Sequence, residues 1–353
     1  MTACHKLYLK WIIICGLIAF VISLAICRVR HTYQTVLEEV DLTHDEFTEL
    51  IDQSRTLPVR QTDGHANFLL LGTDTLDYRD QDAPLTDTII LGSLNFSSGS
   101  VSLISLPRDI YLPDYNRKIN AIYTSAYQAS AATALATTTD TIGQIFSLPI
   151  HYSAVVSLAD VRDFIDLVGG VDVVIDQSFT DYQYPRSDVD INVVTDPNLL
   201  YETVSFATGE AHLDGETAIK FIRSRHGDNN EGNDYARSRR QQKVLSSLAQ
   251  SVIQRLVADF KKFDFTFFGQ LYAFYQDRFA SQIPFVELLA LGRDYLLSGQ
   301  PLTISSQSLA INPGDAAANL RESEPTWRNP QWSLTITNRQ GLIEEVQQKL
   351  NLL

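Results

Sequence analysis

Residues 223–242 read R-S-R-H-G-D-N-N-E-G-N-D-Y-A-R-S-R-R-Q-Q and carry five arginines, in a chain whose formal net charge is −14. Arg223 and Arg225 stand two apart, and Arg237 and Arg240 three apart, a spacing that shares one face if the segment is helical. The Gly/Asn/Asp-rich stretch from Gly227 to Asp234 can fold back and bring the two pairs together. Converging guanidinium groups suit bidentate binding of phosphate oxygens. Charge runs are also common as plain solvated surface, and local carboxylates could absorb these arginines.

Two aspartates supply a second group. Asp74 follows the apolar run 66–71, and Asp87 stands at the head of the run 88–94. Antiparallel pairing of these runs would bring both carboxylates to one sheet edge, beside the hydroxyls of Thr73, Thr86 and Thr88. Hard oxygen donors of this kind suit Mg²⁺ or Mn²⁺; the competing reading is two aspartates capping turns. A divalent cation together with arginines is the usual equipment for holding and splitting a phosphoanhydride.

Composition narrows the classes. With 353 residues, 44% hydrophobic and 20% charged, the chain is globular. Its acidity leaves no broad basic face for nucleic acid. Cys4, Cys15 and Cys27 are the only cysteines, so the main body has no disulfide framework. No H-E-x-x-H, G-x-S-x-G or G-K-[ST] motif occurs, which argues against serine hydrolases and nucleoside triphosphatases. His226, the one histidine in the basic cluster, reads as a solvated loop residue.

The elements that must position these groups follow from periodicity. Residues 11–27 carry no charge, and with their apolar neighbours they predict a transmembrane helix over 11–30, behind a short cytoplasmic tail at 1–10. No small-x-small cleavage site follows, which favours an uncleaved anchor over a signal peptide. Lys6 and Lys10 before the run nearly balance Arg28 and Arg30 after it. Residues 31–64 read as a helical stalk or linker, with a capping box at Thr43 and Glu46. In the body at 65–353, short apolar runs at 66–71, 88–94, 101–106, 153–157, 171–175, 302–309 and 332–337 predict strands. Helical patterns fall at 121–147, 158–168, 214–222, 234–260, 264–278, 284–297 and 342–353, and 177–210 reads as an irregular, tyrosine-bearing excursion. Interleaved strands and helices predict an α/β (α+β) fold, a central mixed sheet covered by helices on both faces.

Taken in order, the pieces L-L-L-G-T-D-T (69–75), T-D-T-I-I-L (86–91), S-L-P-R-D (105–109), K-I-N (118–120), V-G-G-V-D-V (168–173), L-D-G-E-T-A (213–218), F-I-R-S-R (221–225) and D-Y-A-R-S-R-R-Q-Q (234–242) resemble the LytR-CpsA-Psr family of bacterial cell-envelope phosphotransferases. The resemblance covers about residues 66–250. It implies a single-pass protein of the cytoplasmic membrane whose body is extracytoplasmic. Its implied activity is transfer of a glycan phosphate from a polyprenyl-pyrophosphate carrier to a peptidoglycan hydroxyl. A pyrophosphate hydrolase and a non-catalytic binding module for the lipid-linked glycan are the alternatives. By the same resemblance, Asp74 and Asp87 hold Mg²⁺, and Arg108, Arg223, Arg225, Arg237 and Gln241 contact the pyrophosphate. Lys118 and Arg240 are outer contributors. The family usually has arginines where Leu76 and Leu85 stand; Arg79 is the nearby residue that could substitute for one. Asp109 and Asp234 are the carboxylates considered as general base. The apolar stripes at 158–168 and 240–256 fit either ordinary core or the wall of a lipid tunnel.

Overall fold

A computed structural model describes residues 23–24, 26–38, 40–73, 85–186, 189, 194, 196, 199–262, 264–279, 282–309, 318–323 and 333–352. The expected anchor at 11–30 falls mostly outside these, as do Asp74, Leu76 and Arg79. Among the described residues, no helix is long and apolar enough to cross a membrane.

The centre is a five-stranded mixed sheet. Strand β1 (His65–Thr73) pairs antiparallel with β2 (Thr86–Asn95), which pairs antiparallel with β3 (Ser100–Leu106). A short strand β4 (Ile110–Leu112) and β5 (Arg117–Lys118) follow, then the helices α2 (Ala121–Ala129) and α3 (Ala134–Phe146). Strand β6 (Tyr152–Ser157) returns parallel to β1 and runs into α4 (Leu158–Val168). The α1 helix (His44–Thr56) precedes all of these, with both arms of its capping box formed by Thr43 and Glu46. Ahead of it, Val36 and Val40 are buried against Tyr272, so the segment expected as a stalk lies on the body.

The second half begins with β7 (Val171–Ile175), then the hairpin of β8 (Phe179–Pro185) and β9 (Tyr201–Phe206), then β10 (Gly209–Leu213), antiparallel to β7. The stretch expected to be irregular at 177–210 therefore carries two paired strands. Helices α5 (Gly215–Arg223), α6 (Asp234–Lys262), α7 (Thr266–Arg278) and α8 (Phe285–Ser298) follow. Strand β11 (Thr303–Ser308) adds parallel to β3, giving the sheet order β11-β3-β2-β1-β6. Strands β12 (Leu320–Ser323) and β13 (Ser333–Ile336) form a four-stranded sheet with β4 and β5, and α9 (Arg339–Lys349) is the last helix described.

Strand alternation explains the two-sided cover. Leu69, Leu71, Ile89, Leu91, Ile104 and Leu106 point to one face and pack with Ile142, Phe146, Leu342 and Val346 of α3 and α9. The other face meets α8 through Ala290 against Ala66 and Phe68. It meets α6 through Gln241 on Thr88 and Gln242 on Ser105. A second core joins β7 to β10 with α4, α5, α6 and α7, and Val244 and Leu248 of α6 are buried in it. The apolar stripe of α6 is thus core. Two sheet margins are closed by the same helix: Gln242 Nε2 donates to Gln307 O at 2.8 Å on β11, Lys243 Nζ to Val174 O at 2.7 Å on β7, and Ser247 Oγ to Asp172 O.

Candidate phosphate-binding cleft

One wall of the site is the edge where β1 ends and β2 begins. The expected antiparallel pairing holds, with Thr73 opposite Thr86, and the register shifts between Gly72 and Thr73. Gly72 lies so close to Thr88 that a Cβ would stand 2.8 Å from Thr88 Cβ. Asp87 accepts from Arg108 Nη1 at 2.5 Å and from Asn120 Nδ2 at 3.3 Å. Asn120 also fixes this corner through its backbone. Its carbonyl accepts from Thr86 N at 3.2 Å and Thr86 Oγ1 at 3.1 Å, and its N–H donates to Arg108 O at 3.3 Å. Lys118 Nζ donates to Asp109 Oδ1 at 2.6 Å, and the other oxygen of Asp109 accepts from Arg108 Nε at 3.4 Å. Asp109 is thereby held between two cations, in a position to orient Arg108. The side chain of Asp234 lies outside the described residues.

The facing wall comes from α5, the loop after it and α6. Arg223, Arg225, His226, Asn233, Arg237 and Gln241 line a cleft of about 730 Å³ with Gly72, Thr73, Asp87 and Thr88. Leu158, Ile222, Pro185 and Tyr201 add apolar surface. Gln241 Nε2 donates to Thr88 Oγ1 at 3.1 Å and ties α6 to the sheet edge. Arg223 Nη1 is 3.5 Å from Tyr184 OH, and its guanidinium stands 5.8 Å from that ring's centroid.

The cleft gathers Asp87, Arg223, Arg225, Arg237 and Gln241, with Arg108 on Asp87 and Lys118 one step behind. Arg240 is elsewhere. It is 2% exposed, and its guanidinium donates to Phe221 O at 2.8 Å, Ser224 O at 2.5 Å, Glu231 O at 2.9 Å and Glu231 Oε2 at 2.7 Å. The Phe179 ring lies 4.8 Å from it. Burial pushes the guanidinium below its ordinary pKa, and the hydrogen bond and charge of Glu231 oppose that. The three-residue spacing from Arg237 explains the divergence. Three residues turn a helix by about 300°, four by about 400°, so Gln241 stays nearer the Arg237 face than Arg240 does. Tyr184, Tyr201 and Asn120 are site residues that periodicity does not single out. The tyrosine-rich composition of 182–201 is the one signal pointing at the hairpin.

The donor set around Asp87 fits a hard divalent cation: a carboxylate with the hydroxyls of Thr73 and Thr88 on the same cleft wall. Among the described residues, no group of three or more His, Cys, Asp or Glu gathers as a metal cage. Mg²⁺ commonly takes one or two carboxylates and completes its shell with water and substrate phosphate.

A mixed α/β body with an arginine-lined cleft at the edge of its central sheet is the class that fold and site define. The LytR_cpsA_psr family model matches residues 28–321, and the chain belongs to that family. A relative from Enterococcus faecalis, named polyisoprenyl-teichoic acid–peptidoglycan teichoic acid transferase TagU, is 27% identical over 220 residues, 61% of this chain and 63% of the relative. The chain thus spans just under two thirds of that relative's length. The crystal structure of B. subtilis TagV is similar at a TM-score of 0.53 and 22% identity, covering 83% of this chain and 100% of that one. The LytR-CPS2A-psr family protein YwtF (TagT), solved with bound octaprenyl pyrophosphate lipid, is similar at a TM-score of 0.50 and 16% identity, over 84% of this chain and 95% of that one. These two likenesses establish the fold.

Proposed function

We propose that the chain transfers a glycan phosphate from a polyprenyl-pyrophosphate carrier to a peptidoglycan hydroxyl and releases polyprenyl phosphate. The observation that carries this is the convergence of Arg223, Arg225, Arg237 and Gln241 on one cleft, opposite Asp87, Thr73 and Thr88. The name of the Enterococcus relative and the lipid held by the TagT structure support the same reading. The acceptor oxygen bonds to the phosphorus next to the sugar. The bond from that phosphorus to the bridging oxygen breaks, and the bridging oxygen leaves on polyprenyl phosphate. The hydroxyl proton passes to a base. The arginines neutralise the pyrophosphate and stabilise charge growing on the leaving group, in a cleft where fixed donors need little reorganisation. Asp87, with Asp74, would hold Mg²⁺ or Mn²⁺, which when bound draws charge from the phosphate oxygens. The uncharged run at 11–27 supports a membrane anchor that keeps the body beside its lipid substrate on the outer side.

The test incubates the full-length chain in detergent with a short-chain polyprenyl-pyrophosphoryl sugar, with Mg²⁺ or a chelator, and follows polyprenyl phosphate. Cation-dependent release, lost in Asp87→Asn and Arg223→Ala, is expected. Added peptidoglycan oligomers should gain the glycan. Release that never labels the oligomers would make the chain a hydrolase, and tight binding without release would make it a lipid-glycan binding module.

A further inference from the structure

We propose that Asp181 is a positioning residue that turns Arg223 and Arg225 into the cleft. The inference rests on the reading of the cleft as a pyrophosphate site and adds how its paired arginines are aimed. Asp181 is fully buried, at 0% exposure, yet it is a carboxylate. Its Oδ2 accepts from Ser224 Oγ at 2.6 Å, Arg225 N at 3.0 Å and His226 N at 3.1 Å, while Oδ1 accepts from Gln183 N at 2.9 Å. Burial works against the charge, but these donors outweigh it and hold the carboxyl below its ordinary range.

The residue gripped hardest is Ser224, itself 0% exposed. Its hydroxyl is held by Asp181, and its carbonyl accepts from Arg240 Nη2 at 2.5 Å on the other side. At Ser224 the chain leaves α5, with φ −51° and ψ 130°. Ser224 stands between Arg223 and Arg225, so holding it from both sides fixes the backbone that carries them, and both line the cleft. The register of β8 against β9 shifts between Asp181 and Tyr184. Such irregularities re-aim a side chain out of the ordinary ladder. A carboxylate suits the task where an amide does not. Asn would offer one carbonyl oxygen and turn an N–H₂ toward donors already aimed at it.

The experiment measures binding of inorganic pyrophosphate to the full-length chain in detergent by calorimetry, with thermal unfolding beside it. Asp181→Asn is expected to weaken binding on the order of ten-fold. In an Arg225→Ala background the same change should cost clearly less, because Asp181 acts through the arginines. Ser224→Ala, which removes one hydroxyl and leaves three backbone donors on Asp181, should weaken binding a few-fold, and it decides the matter if Asp181→Asn does not fold. A folded Asp181→Asn chain that binds within two-fold of wild type overturns the inference and leaves the pyrophosphate reading standing. So do losses that multiply in full in the double variant, or an unchanged Ser224→Ala chain. A wild-type chain that does not bind pyrophosphate overturns both.

Discussion

Replacing Glu231 by Ala should destabilise the protein by about 3 kcal/mol, the low end of the ~3–5 kcal/mol expected when one partner of a buried ion pair is removed. Glu231 is 4% exposed and Arg240 2% exposed, so solvent cannot take over the lost charge. Of the four hydrogen bonds on Arg240, only the one to Glu231 Oε2 disappears. Three carbonyls and the Phe179 ring remain, which sets the estimate at the low end. Arg239 loses the same carboxylate, but it is 40% exposed and adds less than about 1 kcal/mol. At about 2 °C per kcal/mol, the low end for a large domain, the melting temperature should fall by about 6 °C. The assay is thermal unfolding of Glu231→Ala beside Glu231→Gln/Arg240→Met, in which neither member of the pair keeps a charge. The double variant should lose less than Glu231→Ala. If Glu231→Ala melts within about 1 °C of wild type, the pair is not buried in solution, and the grip of Arg240 on Ser224 goes with it.

Leu85 is exposed and stands just ahead of β2, two residues before Asp87. Leu85→Arg should tighten inorganic pyrophosphate binding a few-fold, since an exposed cation contributes under about 1 kcal/mol; unchanged binding by calorimetry would refute this. Gly215 opens α5 against α4, where a Cβ would stand 2.3 Å from the Arg162 carbonyl. Gly215→Ala should therefore cost about 1–3 kcal/mol, read by chemical unfolding. His151 accepts from Asn67 N at 2.9 Å through Nδ1, and its Nε2 lies 3.0 Å from Thr62 Oγ1, so its folded state is the neutral ring. Burial first, and the charge of Arg60 second, push its pKa down. A depressed folded pKa contributes stability above the unfolded value of about 6.5, lost as pH falls through the folded value. Melting temperature should drop across that window, and His151→Gln should flatten the drop.

The central strands were legible because they are buried on both faces, so β1 and β2 appear as continuous apolar runs. The helix start at Thr43 was legible through a cap that the structure forms. The β8–β9 hairpin was not, because its strands alternate buried and exposed positions with polar residues and tyrosines between. The single helix expected at 121–147 divides near Ser130, where no Gly or Pro marks the break. Strand β4 is three residues long, too short to carry a period. In the site, residue type pointed to Arg223, Arg225 and Arg237, and the family resemblance to Gln241, whereas the burial of Arg240 depends on Glu231 and three carbonyls brought from elsewhere in the chain. Asp181 lies more than forty residues from the Arg225 and His226 amides it binds, a pairing that no local pattern carries.

The side chains of α6 that reach Gln307, Val174 and Asp172 have a consequence for solution behaviour. Open strand margins are templates for pairing with other chains, and proteins suppress this by covering them. Here the cover is the helix that also carries Arg237 and Gln241. Substitutions at Gln242, Lys243 and Ser247 should leave the cleft intact and still promote self-association, so soluble yield would decline before pyrophosphate binding does. Colloidal behaviour and the state of the cleft are therefore separable along one helix, by which side of it is altered.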